Sequence, residues 1–148
     1  MTTTTITPFL WFDNSVPEAV DFYTSVFPDA KVEMKSDFMA VFEIQGQRFY
    51  ALNGGPQFKF TEAVSFFISV DTQEEVDHYW TRLIEGGGEE SMCGWLKDKF
   101  GLSWQVIPRK LMEHQSSPDR AAAERSQNAM LKMRKIVIAD LEKAYAGT

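Results

Sequence analysis

Apolar residues recur at helical spacing in two places along the chain. Val16, Ala19, Val20, Tyr23 and Phe27 form one stripe, and Val76, Tyr79, Trp80 and Leu83 form a second. The segments that carry them, SVPEAVDFYTSVF (15–27) and DTQEEVDHYWTRL (71–83), superimpose with a shift of 56 positions. Glu18 then falls on Glu74, Val20 on Val76, Asp21 on Asp77, Tyr23 on Tyr79 and Phe27 on Leu83. Each copy opens on a capping-box signature, Ser15 with Glu18 and Asp71 with Glu74, in which the first side chain accepts from the helix and the glutamate reaches back.

Aromatic and β-branched runs precede both helices. ITPFLWF (6–12) and VSFFISV (64–70) read as strands, and extended segments follow each helix: 31–34, 39–44 and 48–52 in the first half, 90–96 and 102–107 in the second. A shift of 55 places Gly46 on Gly101 and Phe49 on Trp104. The predicted architecture is α+β, with two βαβββ modules forming a curved mixed sheet around a cavity and helices at the C-terminus. Any α+β protein carries two amphipathic helices, but matching caps, preceding strands and following hairpins together favour the repeat. Module one spans 6–53, a Gly-Gly-Pro linker 54–63, module two 64–107 and a helical tail 108–148, all within one domain.

The tail predicts helices over 110–114, 119–133 and 138–145, the second started by Ser117 as cap and Pro118 at the first helical position. Its Met130, Leu131, Met133, Ile136, Val137, Ile138, Leu141 and Tyr145 are too apolar to stay in water, so it must pack on the domain or on a second copy.

Composition narrows the classes. With 148 residues and 44% hydrophobic content the chain builds a core without disulfides, and its single cysteine, Cys93, forms none internally. A net charge of −6 opposes nucleic-acid binding, which needs a basic face; the cluster Lys132, Arg134 and Lys135 reads as a solvated helix face. No apolar run is long enough to span a bilayer, and the start MTTTTITPF has neither the basic nor the apolar stretch of a signal peptide. A cytoplasmic location without membrane contact is the expectation.

Period-two alternation sorts the strand residues by face. Leu10 and Phe12 turn towards the first helix, leaving Thr7, Phe9 and Trp11 on the cavity side. Phe66, Ile68 and Val70 turn towards the second, leaving Ser65, Phe67 and Ser69. The candidate ligand-binding residues are Phe9, Trp11, Tyr50, Ser65, Phe67, Trp95 and Gln105, with stacking supplying affinity and Ser65 and Gln105 orientation. Plain core packing is the competing reading for each aromatic taken singly.

Other chemistry is thin. His78 and His114 lack a second ligand at helical spacing. No histidine lies near Cys93 in the predicted layout, so an inert thiol is expected. Lys97, Asp98 and Lys99 read as a solvated hairpin turn, and Gly86-Gly87-Gly88 as a helix C-cap.

The phrases TPFLWFDNS, PEAVDFYTSVFP, RFYALNGGPQFKF, CGWLKDKFGLSWQVIP and MLKMRKIVIADLEKAYAG resemble the PhnB-like branch of the vicinal-oxygen-chelate (glyoxalase, bleomycin-resistance and dioxygenase) superfamily, often labelled 3-demethylubiquinone-9 3-methyltransferase. The resemblance covers nearly the whole chain. It implies paired βαβββ modules and commonly a homodimer. It also implies up to four metal-ligand positions, which fall here on Thr7, on Tyr50 or Ala51, on Ser65 and on Gln105. None is a histidine or carboxylate, so no metal and no cofactor are expected.

Three functions are compatible with this reading. The first is metal-independent binding of a small, partly aromatic molecule. The second is an enzyme, either a quinone methyltransferase or a divergent metal-dependent lyase or dioxygenase. The third is a structural dimerisation protein with a filled cavity.

Overall fold

The computed structural model describes residues 4–148, so the first residues of the MTTTTITPF start lie outside it. Two compact units divide at Phe60 and Thr61, and each holds one βαβββ module.

In the first unit, β1 (Phe9–Phe12) leads into α1 (Val16–Val26), followed by β2 (Lys31–Lys35), β3 (Met39–Ile44) and β4 (Gln47–Asn53). The strand order is β1-β4-β3-β2, with β1 and β4 parallel and the other pairs antiparallel. The predicted alternation holds. Leu10, Phe12, Ala40, Phe42, Phe49 and Ala51 are buried with Val16, Ala19, Val20, Tyr23 and Val26 of α1, whereas Phe9 is half exposed. Tyr23, Phe42 and Phe49 form a stacked aromatic series beneath the helix, with ring separations of 6.3 and 5.4 Å.

The second unit repeats the order with β5 (Ser65–Val70), α2 (Gln73–Ile84), β6 (Glu89–Glu90), β7 (Trp95–Lys97) and β8 (Ser103–Pro108). Its sheet runs β5-β8-β7-β6, again with first and last strands parallel. The predicted strand over 90–96 is broken in two. Residues 91–94 make a turn with Cys93 and Gly94 both at positive φ, 60° and 82°. A Cβ on Gly94 would lie 2.6 Å from Ile107 Cδ1 and 3.2 Å from the Val106 carbonyl oxygen, so a side chain there would crowd its neighbours as well as strain the backbone.

Two caps differ from expectation. Ser15 makes no side-chain cap; the Val16 N–H is accepted by Asn53 Oδ1 at 3.0 Å, so the end of β4 caps α1. In α2 the capping box is Thr72 with Glu75, one residue later than predicted, and Asp71 pairs with Arg109 at 2.8 Å. The buried faces agree with this correction. Ala19, Tyr23 and Val26 correspond to Val76, Trp80 and Leu83, a shift of 57. The letter match at 56 therefore lies one residue out of step with the packed faces of the two helices.

After β8 come α3 (Arg109–Gln115), α4 (Arg120–Met130) and α5 (Ile138–Ala146). The tail packs on the second unit, where Ile107, Leu111, Ile136 and Leu141 form a buried cluster flanked by Met130 and Met133. Polar contacts fix it. Cys93 N–H donates to the Met133 carbonyl and Gly94 N–H to that of Arg134, at 2.7 and 2.8 Å. The Gln73 side chain donates to the Ile136 carbonyl and accepts from Ile138 N–H. Lys135 pairs with Asp77 at 2.8 Å, so the basic cluster lies in the connection between α4 and α5 and not on a helix face. Asp119, not Ser117, caps α4 through the Ala122 N–H, and the Ser117 hydroxyl instead meets Tyr145 Oη at 2.7 Å. His114 is buried, 2.8 Å from Ser126 Oγ and stacked on Tyr145 at 4.1 Å. No helix among the described residues is long and apolar enough to cross a membrane.

Asn53→Ala removes the α1 cap and should cost about 1–2 kcal/mol, whereas Ser15→Ala should change stability by less than about 0.5 kcal/mol, both read from urea unfolding. Burial, reinforced by the Lys110 charge, holds the His114 pKa below its ordinary value, against the opposing pull of Glu142 and Glu113. The native state therefore binds a proton at His114 less readily than the unfolded chain. Stability from this residue is complete above about pH 6.5 and lost as pH falls through the lowered native pKa. In His114→Gln, thermal unfolding across pH 5–7 should show a shallower acid-side decline.

Candidate functional site

The parallel pairing of first and last strands puts the expected ligand residues side by side within each unit. In the second, Phe67 is the register partner of Gln105 and Gln105 that of Trp95, so the three form a row across β5, β8 and β7 on the sheet face opposite α2. Gln105 Nε2 donates to Ser65 Oγ at 3.0 Å, which holds the amide within this row. Phe67 is 48% exposed, enough to offer a ring face to a ligand.

In the first unit Phe9 pairs with Tyr50, their rings 5.5 Å apart and tilted by 49°. Tyr50 is half-buried while Ala51 is fully buried, so Tyr50 is the residue of β4 that shares the face of Phe9. Trp11 lies on the same face but is engaged within its own unit. Its Nε1 donates to the Gly55 carbonyl at 2.9 Å, Phe58 packs edge-on at 5.0 Å, and a Cβ on Gly54 would collide with the indole at 2.3 Å. The Gly-Gly-Pro segment is thus the seat of Trp11.

Residues not singled out from sequence share the second unit's face. Ser103 is the register partner of Ser65 on one side and of Lys97 on the other, and Lys97 is that of Glu89. Lys97 pairs with Glu62. Around them lies a hollow of about 260 Å³, bordered by Glu62, Glu89, Glu90, Trp95, Lys97 and Ser103. The same alternation that placed Trp95 and Gln105 places Lys97 and Ser103 beside them; reading Lys97 as part of a turn hid it, and Ser103, inside the predicted strand, was passed over. Each partner of the Lys97–Glu62 pair favours the other's charged form, so the Glu62 pKa is lowered and the Lys97 pKa raised.

Asp98 departs from the expected solvated turn. It is 3% exposed, and its carboxylate accepts from the N–H groups of Phe100 and Leu102 at 2.9 and 3.1 Å and from Trp104 Nε1 at 2.9 Å. It shapes the turn that delivers Ser103 to the face. Cys93 is half-buried, with its N–H given to the tail. His78 lies edge-on to Tyr79, and among the described residues no three His, Cys, Asp or Glu side chains are grouped to hold a metal ion.

Taken unit by unit, βαβββ modules with parallel first and last strands define the glyoxalase and bleomycin-resistance class of fold. The family model described as 3-demethylubiquinone-9 3-methyltransferase matches residues 4–107, and the chain belongs to that family, in its PhnB-like branch. A PhnB protein from Bacillus cereus, described as a putative 3-demethylubiquinone-9 3-methyltransferase, is 29% identical with a TM-score of 0.63, the match covering 71% of this chain and 99% of that one. The fosfomycin resistance protein FosX from Listeria monocytogenes, solved with Mn(II) and sulfate, shares the fold at 17% identity and a TM-score of 0.57, over 73% and 91% of the two chains. A possible glyoxalase from Bacillus cereus does so at 16% identity and 0.56, over 72% and 99%. No curated protein matches.

Asp98→Ala would strand three donors, two of them on backbone amides. A loss of about 3 kcal/mol or more is expected in chemical unfolding, with Asp98→Asn recovering only part of it because an amide offers one acceptor oxygen.

Proposed function

We propose that this chain binds a small, partly aromatic molecule without a metal ion, on the sheet faces opposite α1 and α2. The observation that carries the reading is the row Phe67–Gln105–Trp95, with Gln105 oriented by Ser65. Rings on either side of a fixed amide suit a planar ligand bearing a carbonyl or hydroxyl: stacking supplies affinity and the amide sets orientation. Phe9 and Tyr50 give the first unit a comparable aromatic pair.

The donor set at the family's four ligand positions, Thr7, Tyr50, Ser65 and Gln105, does not fit a transition metal. Three are hydroxyls, and the fourth is an amide already bonded to one of them. Such ions prefer imidazole, thiolate or carboxylate.

The family's description favours a second reading, methyl transfer to a quinone. Against it, Gly86 and Gly87 take positive φ just beyond the end of α2, and Gly88 N–H returns to the Ile84 carbonyl, so this glycine run terminates a helix where a nucleotide cradle would open one.

Purified full-length protein should melt at higher temperature with 2,3-dimethoxy-5-methyl-1,4-benzoquinone or menadione and should carry far less than one metal ion per chain by elemental analysis. Phe67→Ala should weaken probe binding about three- to tenfold. Stoichiometric manganese, zinc, nickel or iron would refute metal independence, and no stabilisation by any aromatic or quinone probe would refute the ligand reading. Calorimetric binding of S-adenosylmethionine would transfer support to methyl transfer.

A further inference from the structure

Ser103 carries an anomaly. It is 1% exposed, borders the hollow of the second unit, and its Oγ has no hydrogen-bond partner. Buried hydroxyls are nearly always paired, and an orphan inside a polar recess indicates a partner that comes from outside the chain.

The charges around it indicate what kind. Glu62, Glu89 and Glu90 border the recess against the single ammonium of Lys97. Glu90 is partly committed, since its Oε1 accepts from Trp80 Nε1 at 2.8 Å. Glu62 binds Lys97, and Glu89 adds attraction from across the β6–β7 pair. Lys97 thus rests among carboxylates next to the orphan hydroxyl, as a built-in substitute for an external cation. An anion drawn to Lys97 would meet three carboxylates. The carboxylates are not grouped for a metal ion. At about 260 Å³ the recess has room for an organic cation larger than a bare ion, and Trp95 offers a ring to its carbon skeleton.

We propose that this recess is a subsite for the ammonium group of a small organic amine, with Glu62 and Glu89 as counter-ions and Ser103 Oγ as hydrogen-bond acceptor. The Trp95 ring lies against the hydrocarbon part, and the incoming ammonium displaces that of Lys97. The inference rests on the reading that this face of the second unit receives a ligand, and it names the polar end of that ligand as cationic.

The probe is 2-phenylethylammonium, compared with 2-phenylethanol and 3-phenylpropanoate, in NMR titrations of the full-length ¹⁵N-labelled chain followed at the tryptophan indoles and at the Ser103 amide. The ammonium should bind at least about tenfold tighter than the alcohol, weaken as salt is raised, and leave the carboxylate without measurable binding. Lys97→Gln should tighten ammonium binding several-fold by vacating the carboxylates, while Glu62→Gln combined with Glu89→Gln should weaken it to the level of the alcohol. Ser103→Ala should weaken it several-fold with no fall in melting temperature, because a residue that is orphaned in the free chain contributes no bond to folding. That pairing separates loss of binding from loss of fold.

Equal binding of the three probes, preference for the carboxylate, or weaker binding in Lys97→Gln would overturn the proposal. If the quinone probes stabilise the chain while the ammonium does not bind, only the cationic subsite fails. If neither class binds, the ligand-binding reading falls as well.

Discussion

The parallel pairing of each module's first strand with its last is the constraint on which the rest depends. A parallel neighbour cannot be reached by a tight turn, so the chain needs a long crossover, and in both modules the helix that opens it covers one face of the sheet. Once the helix has chosen its side, strand alternation leaves Phe9 and Tyr50, or Phe67 and Gln105, on the other. The chemistry of the open faces is thus a consequence of chain connectivity as much as of residue type. It also explains why Asn53 serves α1: parallel pairing places it against Phe12, three residues before the helix cap, where its amide reaches the first helical N–H.

Much of this architecture was legible because it rests on periodicities. Alternation in FLWF and SFFISV separated buried from open residues, and helical spacing located α1 and α2. Details settled by single polar atoms were not legible. Ser15 and Asp71 have the right chemistry for caps, but Asn53 and Thr72 have the right positions, and position depends on tertiary register. Asp98 was hidden for a related reason: a carboxylate between two lysines looks solvated until a folded turn aims three N–H groups at it. The candidate site was legible as a face, through Phe67, Trp95 and Gln105, but not as a recess. Its Lys97 fell where a turn was assigned, and the pairing of Lys97 with Glu62 spans residues with no sequence signal in common.

Family membership and local chemistry meet at the four positions where superfamily metalloenzymes place ligands. Here those positions hold a threonine, a tyrosine, a serine and a glutamine. The Ser65–Gln105 hydrogen bond spans two of them, joining first strand to last with a contact that needs no ion. Relatives that share the fold at 16–17% identity supply a frame for such comparison and no more, since a scaffold of this kind carries many chemistries.

The docking of residues 133–134 on the 93–94 turn makes the duplicated halves unequal. The second module lends the amides of Cys93 and Gly94 to a segment some forty residues downstream. Exchange of those two protons with solvent requires these hydrogen bonds to the tail to open. Lifting the tail would uncover Ile107, so a detached tail presents a sticky seam, and a nascent chain guards that seam only once α5 has left the ribosome.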